Sequence, residues 1–143
     1  MSTKPKLLII GHARHGKDTV GEWFVKRGYT FVSSSRFVGE KAVYPRHLEK
    51  TKNQGVEPYP FEEFYELRGM NRAFWYEAIA AYNRPDRARL GRELFAEYDM
   101  YVGLRNDKEL QALKLHKAYD LAVWVDASER CDLEPETSMT LKP

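Results

Sequence analysis

The sequence predicts a three-layer α/β domain built on a mainly parallel sheet, and three observations lead there. Short continuous apolar runs recur at Lys6–Ile10, Asp99–Leu104 and Leu121–Val125, as strands buried on both faces require. Stretches with helical spacing lie between and after them, and strands alternating with helices favour a parallel sheet. The first run stops at Gly11 and passes through a glycine-containing turn into a helix, the start of a βαβ unit.

Each element follows from its own residues. After the first strand, Val20, Trp23, Phe24 and Arg27 keep helical spacing and Gly28 supplies the stop. Tyr29–Val32 reads as a second strand. Ser33, Ser34 and Ser35 suit the cap of a helix carrying Phe37, Val38 and Val43, with Tyr44-Pro45 as its end. From Arg46 to Pro60 the chain is polar, contains Asn53-Gln54-Gly55 and two prolines, and shows no period, so a loop or mobile flap is expected. Phe61–Leu67, Asn71–Tyr82 and Pro85–Glu97 read as successive helices, the last with Pro85 in its first turn. Beyond the strand over Asp99–Leu104, Leu110, Leu113 and Leu115 place a helix over Asp107–His116. Leu121–Val125 then forms a third buried strand, and Asp126–Pro143 is polar with little pattern.

Composition narrows the class. At 143 residues, 43% apolar and 31% charged, the chain suits one globular domain with a real core. A net charge of +2 announces no overwhelming basic field, although arginines cluster between Arg68 and Arg105, where a local positive cleft would suit a phosphorylated substrate. The lone Cys131 excludes an internal disulfide framework. No apolar stretch approaches the roughly 20 residues that cross a bilayer, and the N-terminus lacks the apolar core of a signal peptide, so a cytoplasmic protein is expected, with no membrane partner.

The specific signal is Gly11-His12-Ala13-Arg14-His15-Gly16-Lys17, a glycine, four residues, a glycine and a lysine, between a predicted strand and a predicted helix. A loop that wraps phosphates with its backbone N–H groups needs glycine where a side chain would clash or φ must be positive. The helix start at Gly16 adds its positive end, and Lys17 reaches the β- and γ-phosphates. Gly11, Ala13, Arg14, His15, Gly16, Lys17, Asp18 and Thr19 are therefore the expected ATP-binding residues. One departure stands out: the position after the lysine, usually Ser or Thr, is Asp18, with Thr19 one further on. Asp18 and Thr19 are the candidates for holding Mg²⁺, and the altered spelling argues against a motor or a GTPase switch. His12 and His15 are expected to face solvent, since no Cys or His completes a metal-binding set around them. Asp126, at a strand end, is read as a cap before a ligand.

Gly16-Lys17-Asp18-Thr19-Val20 after an apolar strand resembles the phosphate loop of deoxynucleoside monophosphate kinases from tailed bacteriophages, a branch of the nucleoside monophosphate kinases. Val102-Gly103-Leu104-Arg105-Asn106-Asp107-Lys108-Glu109 is similar to that family's strand, arginine and acidic helix start, and Val123-Trp124-Val125-Asp126 to its next core strand. The resemblance covers about half of the chain, with the loop as its specific part. It implies a P-loop NTPase fold, a single domain over residues 1–143 with a helical, acceptor-binding region over about 34–98, and transfer of the ATP γ-phosphoryl group to a deoxynucleoside monophosphate with Mg²⁺ as cofactor. If the protein is phage-encoded, it acts in the host cytoplasm.

Phosphoryl transfer asks mainly for positioning and cations, which makes Lys17, Arg105 and Asp18 the expected catalytic groups. Arg105 follows the carboxyl end of a predicted strand, where open α/β sheets bind ligands; the bland alternative is an ion pair with Asp107 or Glu109. Arg36, Arg68, Arg72 and Arg105 are the candidates for the acceptor phosphate, and Arg130 for a lid over the nucleotide. Among the aromatics core packing is the expectation, with Phe37 or Tyr65 as candidates to stack on an acceptor base. Two other readings stay open. One keeps the donor site and takes 5-hydroxymethyluracil in phage DNA as acceptor, with Lys41, Arg46, Lys50 and Lys52 tracking phosphates. The other is a nucleotide-binding module without catalysis, or a homodimer that completes the sheet, suggested by a chain that stops after Glu136–Thr140 where such kinases continue.

Overall fold

The computed structural model describes residues 4–12, 15–127 and 141. Four strands form one sheet: β1 (Leu7–Ile10), β2 (Phe31–Ser33), β3 (Met100–Val102) and β4 (Leu121–Trp124), in the order β2-β3-β1-β4, with every pair parallel. The register sets Leu7 opposite Met100 and Leu121, and Ile9 opposite Val102 and Val123. The α/β class with a parallel sheet holds. The helices are α1 (Lys17–Val25), α2 (Ser34–Val38), α3 (Tyr44–Gln54), α4 (Phe61–Glu66), α5 (Arg72–Asn83), α6 (Arg89–Glu97) and α7 (Asp107–Leu115). Two compact units result: residues 1–34 with 87–143, which hold the sheet, and residues 35–86, which are helical.

Within the sheet unit the pleat sends alternate side chains to opposite faces. On one face Leu7, Ile9, Met100 and Val102 are buried against Val20 and Phe24 of α1, together with Tyr29 and Phe31. On the other face Tyr101 meets Phe95 of α6 and Glu109 of α7. Helices α6 and α7 touch closely, because a Cβ on Gly91 would sit 2.5 Å from Leu113 Cδ2. Leu7, Leu8, Ile9 and Ile10 are all buried, as a strand covered on both faces requires.

Four expectations about elements need correction. Tyr44-Pro45 does not end a helix, and the stretch over residues 46–60 is not all loop: a π-helical turn at Gly39–Val43 leads directly into α3, which runs to Gln54 and stops at Gly55 in the left-handed region. Pro45 lies in the first turn of α3, where its missing N–H costs nothing. Pro85 lies outside α6, whose N-cap is Ala88. Finally, β4 is an edge strand among the described residues, with Leu121 and Ala122 exposed; only its second half turns inward, which is why its run looks like a core strand.

The helical unit has an aromatic interior. Phe64 is buried and stacks on Trp75 at 5.6 Å and on His47 at 4.5 Å, while Tyr44 meets both Phe61 and Phe64 edge-on or tilted. Phe37 is buried as well, with the Lys41 ammonium over its ring. Most of these rings therefore serve packing.

Candidate functional site

The strand order itself locates a crevice. From β1 the chain crosses to β2 on one side, and from β3 it crosses back over β1 to β4 on the other. Neighbouring strands β1 and β3 thus send their connections in opposite directions, and the gap outside their carboxyl ends is where open α/β sheets bind ligands. The two segments leaving that gap are Gly11–Gly16 after β1 and Gly103–Asn106 after β3. They are linked at their base, where Gly103 N–H donates to Ile9 O at 3.1 Å.

The first segment is shaped by its neighbours. Gly11 has no room for a side chain, since an added Cβ would run into the Val125 carbonyl oxygen, and the backbone here is pinned by Val125 N–H donating to Ile10 O at 2.7 Å. Gly16 caps α1 with φ +97°, a left-handed conformation that glycine adopts without strain. Gly16 offers no side chain to cap α1, and the N–H groups of the first turn carry the positive end of the helix dipole. Lys17 opens the helix, and its ammonium donates to Gly11 O at 2.7 Å.

Charge gathers at the same point. Lys17 and Arg105 are both half-buried. Burial first, and then the Arg105 charge, lowers the Lys17 pKa, with Asp18 acting in the opposite sense. Burial likewise lowers that of Arg105. His12 is disfavoured as a cation by burial and then by His15, Lys17 and Arg105. The Arg105 charge thus reaches Lys17 across the gap between β1 and β3. Of the two carboxylates weighed as partners of Arg105, Asp107 and Glu109, Glu109 accepts the Tyr101 hydroxyl at 2.8 Å.

Asp18 and Thr19 are exposed on the first turn of α1. A magnesium ion on a triphosphate takes most of its ligands from phosphate and water and one or two carboxylates from protein. Asp18 fits that single role, and Thr19 is the neighbouring hydroxyl. No group of three or more His, Cys, Asp or Glu side chains suited to a metal occurs among the described residues. Ala13, Arg14 and Arg130 lie outside the described residues.

His15 overturns an expectation. It does not face solvent: the residue is 3% exposed, and its Nδ1 accepts the buried Ala127 N–H at 3.0 Å, with Asp126 Oδ1 at 3.8 Å. The histidine at this place in the loop is an internal fastener. Sequence spacing gives no sign of it, because the partner lies 112 residues further on.

In the helical unit, Arg68 and Arg72 line one cavity of about 530 Å³ with Glu66, Gly69 and Trp75. The Arg68 guanidinium stacks 4.0 Å from the Tyr65 ring centroid and donates to Tyr65 O. Trp75 is buried, and its indole N–H has no hydrogen-bond partner among the described residues. Arg36 differs: Glu62 takes its guanidinium in a two-pronged ion pair, and Glu40 lies 3.8 Å away. That pairing favours the cation of Arg36 and the anion of Glu62.

Compared with protein-family models, curated proteins and solved structures, the chain matches none. No helix among the described residues is long and apolar enough to cross a membrane.

Proposed function

We propose that the chain is a P-loop phosphotransferase that binds ATP at Gly11–Thr19 and moves its γ-phosphoryl group to a deoxynucleoside monophosphate. The observation that carries this reading is the gathering, beyond the carboxyl ends of β1 and β3, of the Lys17 ammonium, the positive end of α1 at Gly16 and the charge of Arg105 acting on Lys17. Each of the three favours anions, and together they suit a polyphosphate. In the transfer, an acceptor phosphate oxygen forms a bond to the γ-phosphorus while the bond from that phosphorus to the β–γ bridging oxygen breaks and ADP leaves. Lys17 and Arg105 offset the charge on the equatorial and leaving oxygens. Mg²⁺, held by the phosphates with Asp18 or Thr19, supplies further charge neutralisation when bound. Arg68 and Arg72, lining one cavity, are the guanidinium pair we assign to the acceptor phosphate.

The test is to incubate the protein with γ-labelled ATP and, separately, deoxynucleoside monophosphates, DNA containing 5-hydroxymethyluracil, or no acceptor. Label on a monophosphate supports the reading. Label on the DNA moves the acceptor to a base in a polymer, and tight ATP binding without label on either makes the chain a nucleotide-binding module. Lys17→Ala should weaken ATP binding at least tenfold; a variant that holds and consumes ATP as the parent does removes the basis of the proposal.

A further inference from the structure

The hydrogen bond from Ala127 N–H to His15 Nδ1 joins two parts of the sheet unit that are remote in sequence. His15 lies in the loop between β1 and α1, one residue before Gly16 and two before Lys17, while Ala127 lies three residues beyond β4. The His15 side chain has no exposure, and Ala127 is buried. A buried backbone N–H without a partner costs on the order of 1–3 kcal/mol, so the bond has a strong reason to form. His15 is held at its backbone too, with N–H donating to His12 O at 3.2 Å. Its ring lies 5.5 Å from the His12 ring, which in turn meets Trp124 of β4 edge-on at 6.0 Å. Two residues before Ala127, Val125 donates to Ile10 O and closes over Gly11.

These contacts form a clasp. The start of the loop is held by Val125, and its end, next to Gly16 and Lys17, is held by the imidazole. The imidazole must accept at Nδ1, so its proton sits on Nε2. A loop that offers main-chain N–H groups to phosphate works only if those groups already point inward, because reorganisation on binding is subtracted from affinity.

We infer that His15 is a positioning residue: by accepting the Ala127 N–H it fixes the end of the proposed phosphate loop, beside Gly16 and Lys17, in place for an anion and couples it to the segment after β4. The inference rests on the proposed binding of ATP at this loop, and the following comparison separates the two. His15→Asn places an amide oxygen near the position of Nδ1 and retains the acceptor; His15→Leu fills similar space without one. ATP affinity is measured by titration for the parent and both variants, with thermal unfolding recorded without nucleotide. The expected result is a tenfold or greater loss of affinity in H15L and recovery to within about threefold of the parent in H15N. Equal affinity in H15L and the parent overturns the inference and leaves the ATP reading intact. So does an H15N as weak as H15L, which would make ring packing the cause. A parent that does not bind ATP overturns the ATP reading instead. If H15L does not fold, long-range ¹H–¹⁵N spectra of the parent imidazole decide the matter: an unprotonated Nδ1 coupled to the Ala127 amide is expected, and a protonated Nδ1 is incompatible with the clasp.

Discussion

Replacing Glu109 by glutamine should stabilise the protein, and only above a certain pH. Glu109 sits in the first turn of α7 with Oε1 2.8 Å from the hydroxyl of Tyr101, which is buried in β3. Burial pushes the Glu109 carboxyl up to about 7 from an ordinary 4.5, with the donated Tyr101 hydrogen bond opposing in part. Burial, then the Glu109 charge, raises the Tyr101 hydroxyl well above its ordinary value, so Tyr101 stays neutral. Because the folded protein holds the Glu109 proton more tightly than the unfolded chain does, the stabilisation is full below pH 4.5 and is lost as pH rises through about 7. At about 1.4 kcal/mol per tenfold change in proton affinity, the gap between 4.5 and 7 amounts to about 3 kcal/mol. The positive end of α7 favours the carboxylate by up to about 1 kcal/mol, which makes 3 kcal/mol an upper bound. Glutamine keeps an oxygen for the Tyr101 hydroxyl and cannot ionise. Urea unfolding of parent and E109Q at pH 4.5, 6, 7 and 8 should therefore give nearly equal stability at the lowest pH and an advantage of about 2–3 kcal/mol for E109Q at pH 8, about 7–10 °C in melting temperature for a chain of this size. Taking the difference between the two proteins cancels the other titrating groups. A constant difference across the series would refute the argument, since it would mean that the Glu109 carboxyl is not held protonated by its surroundings.

Two further substitutions test the architecture around the crevice. Gly11→Ala drives a methyl group toward the Val125 carbonyl oxygen, and overpacking of this kind costs about 1–3 kcal/mol; differential scanning calorimetry should show the lowered melting temperature, and ATP titration a loss larger than that of a neutral surface change. Asn106→Ala removes the side-chain oxygen that accepts from Lys108 N at 2.9 Å and Glu109 N at 3.2 Å. Loss of such a cap costs about 1 kcal/mol, near 3 °C in melting temperature, whereas Asn106→Asp should retain most of it.

The sheet and the glycines of the turn after β1 are readable in the sequence because both depend on local rules. Leu7–Ile10 is apolar without interruption since both faces are covered, and Gly11 and Gly16 stand where a close backbone and a positive φ demand them. Arg105 was placed beside the crevice by one rule, that ligands gather at strand carboxyl ends. What escaped depended on distant partners. Pro45 reads as a helix stop unless the π-helical turn before it is known, and α3 was hidden for that reason. The exposure of Leu121 follows from the position of β4 in the sheet order, which no local pattern records. His15 and Ala127, or Tyr101 and Glu109, pair through the fold, which no local pattern records.

The cations of the crevice explain each other. Burial disfavours the charged form of both Lys17 and Arg105, and the Arg105 charge disfavours that of Lys17 further. Folding alone gives no reason to place Lys17 where its ammonium turns back onto the carbonyl of Gly11, a weak acceptor beside a phosphate oxygen. On the reading proposed above, an anion would offset that penalty, because the surroundings that disfavour these cations also strengthen their attraction to it. Asp18 is the nearest carboxylate acting on Lys17, but it lies exposed on the helix start and offsets only part of the penalty. A polyphosphate would replace the Gly11 carbonyl as the acceptor of the Lys17 proton, add the N–H groups of the first turn of α1, and draw on Arg105 from the opposite strand. The burial penalty on Lys17 and Arg105 and the proposed affinity for a multiply charged anion would thus follow from one placement, fixed by the strand order that sets the ends of β1 and β3 side by side.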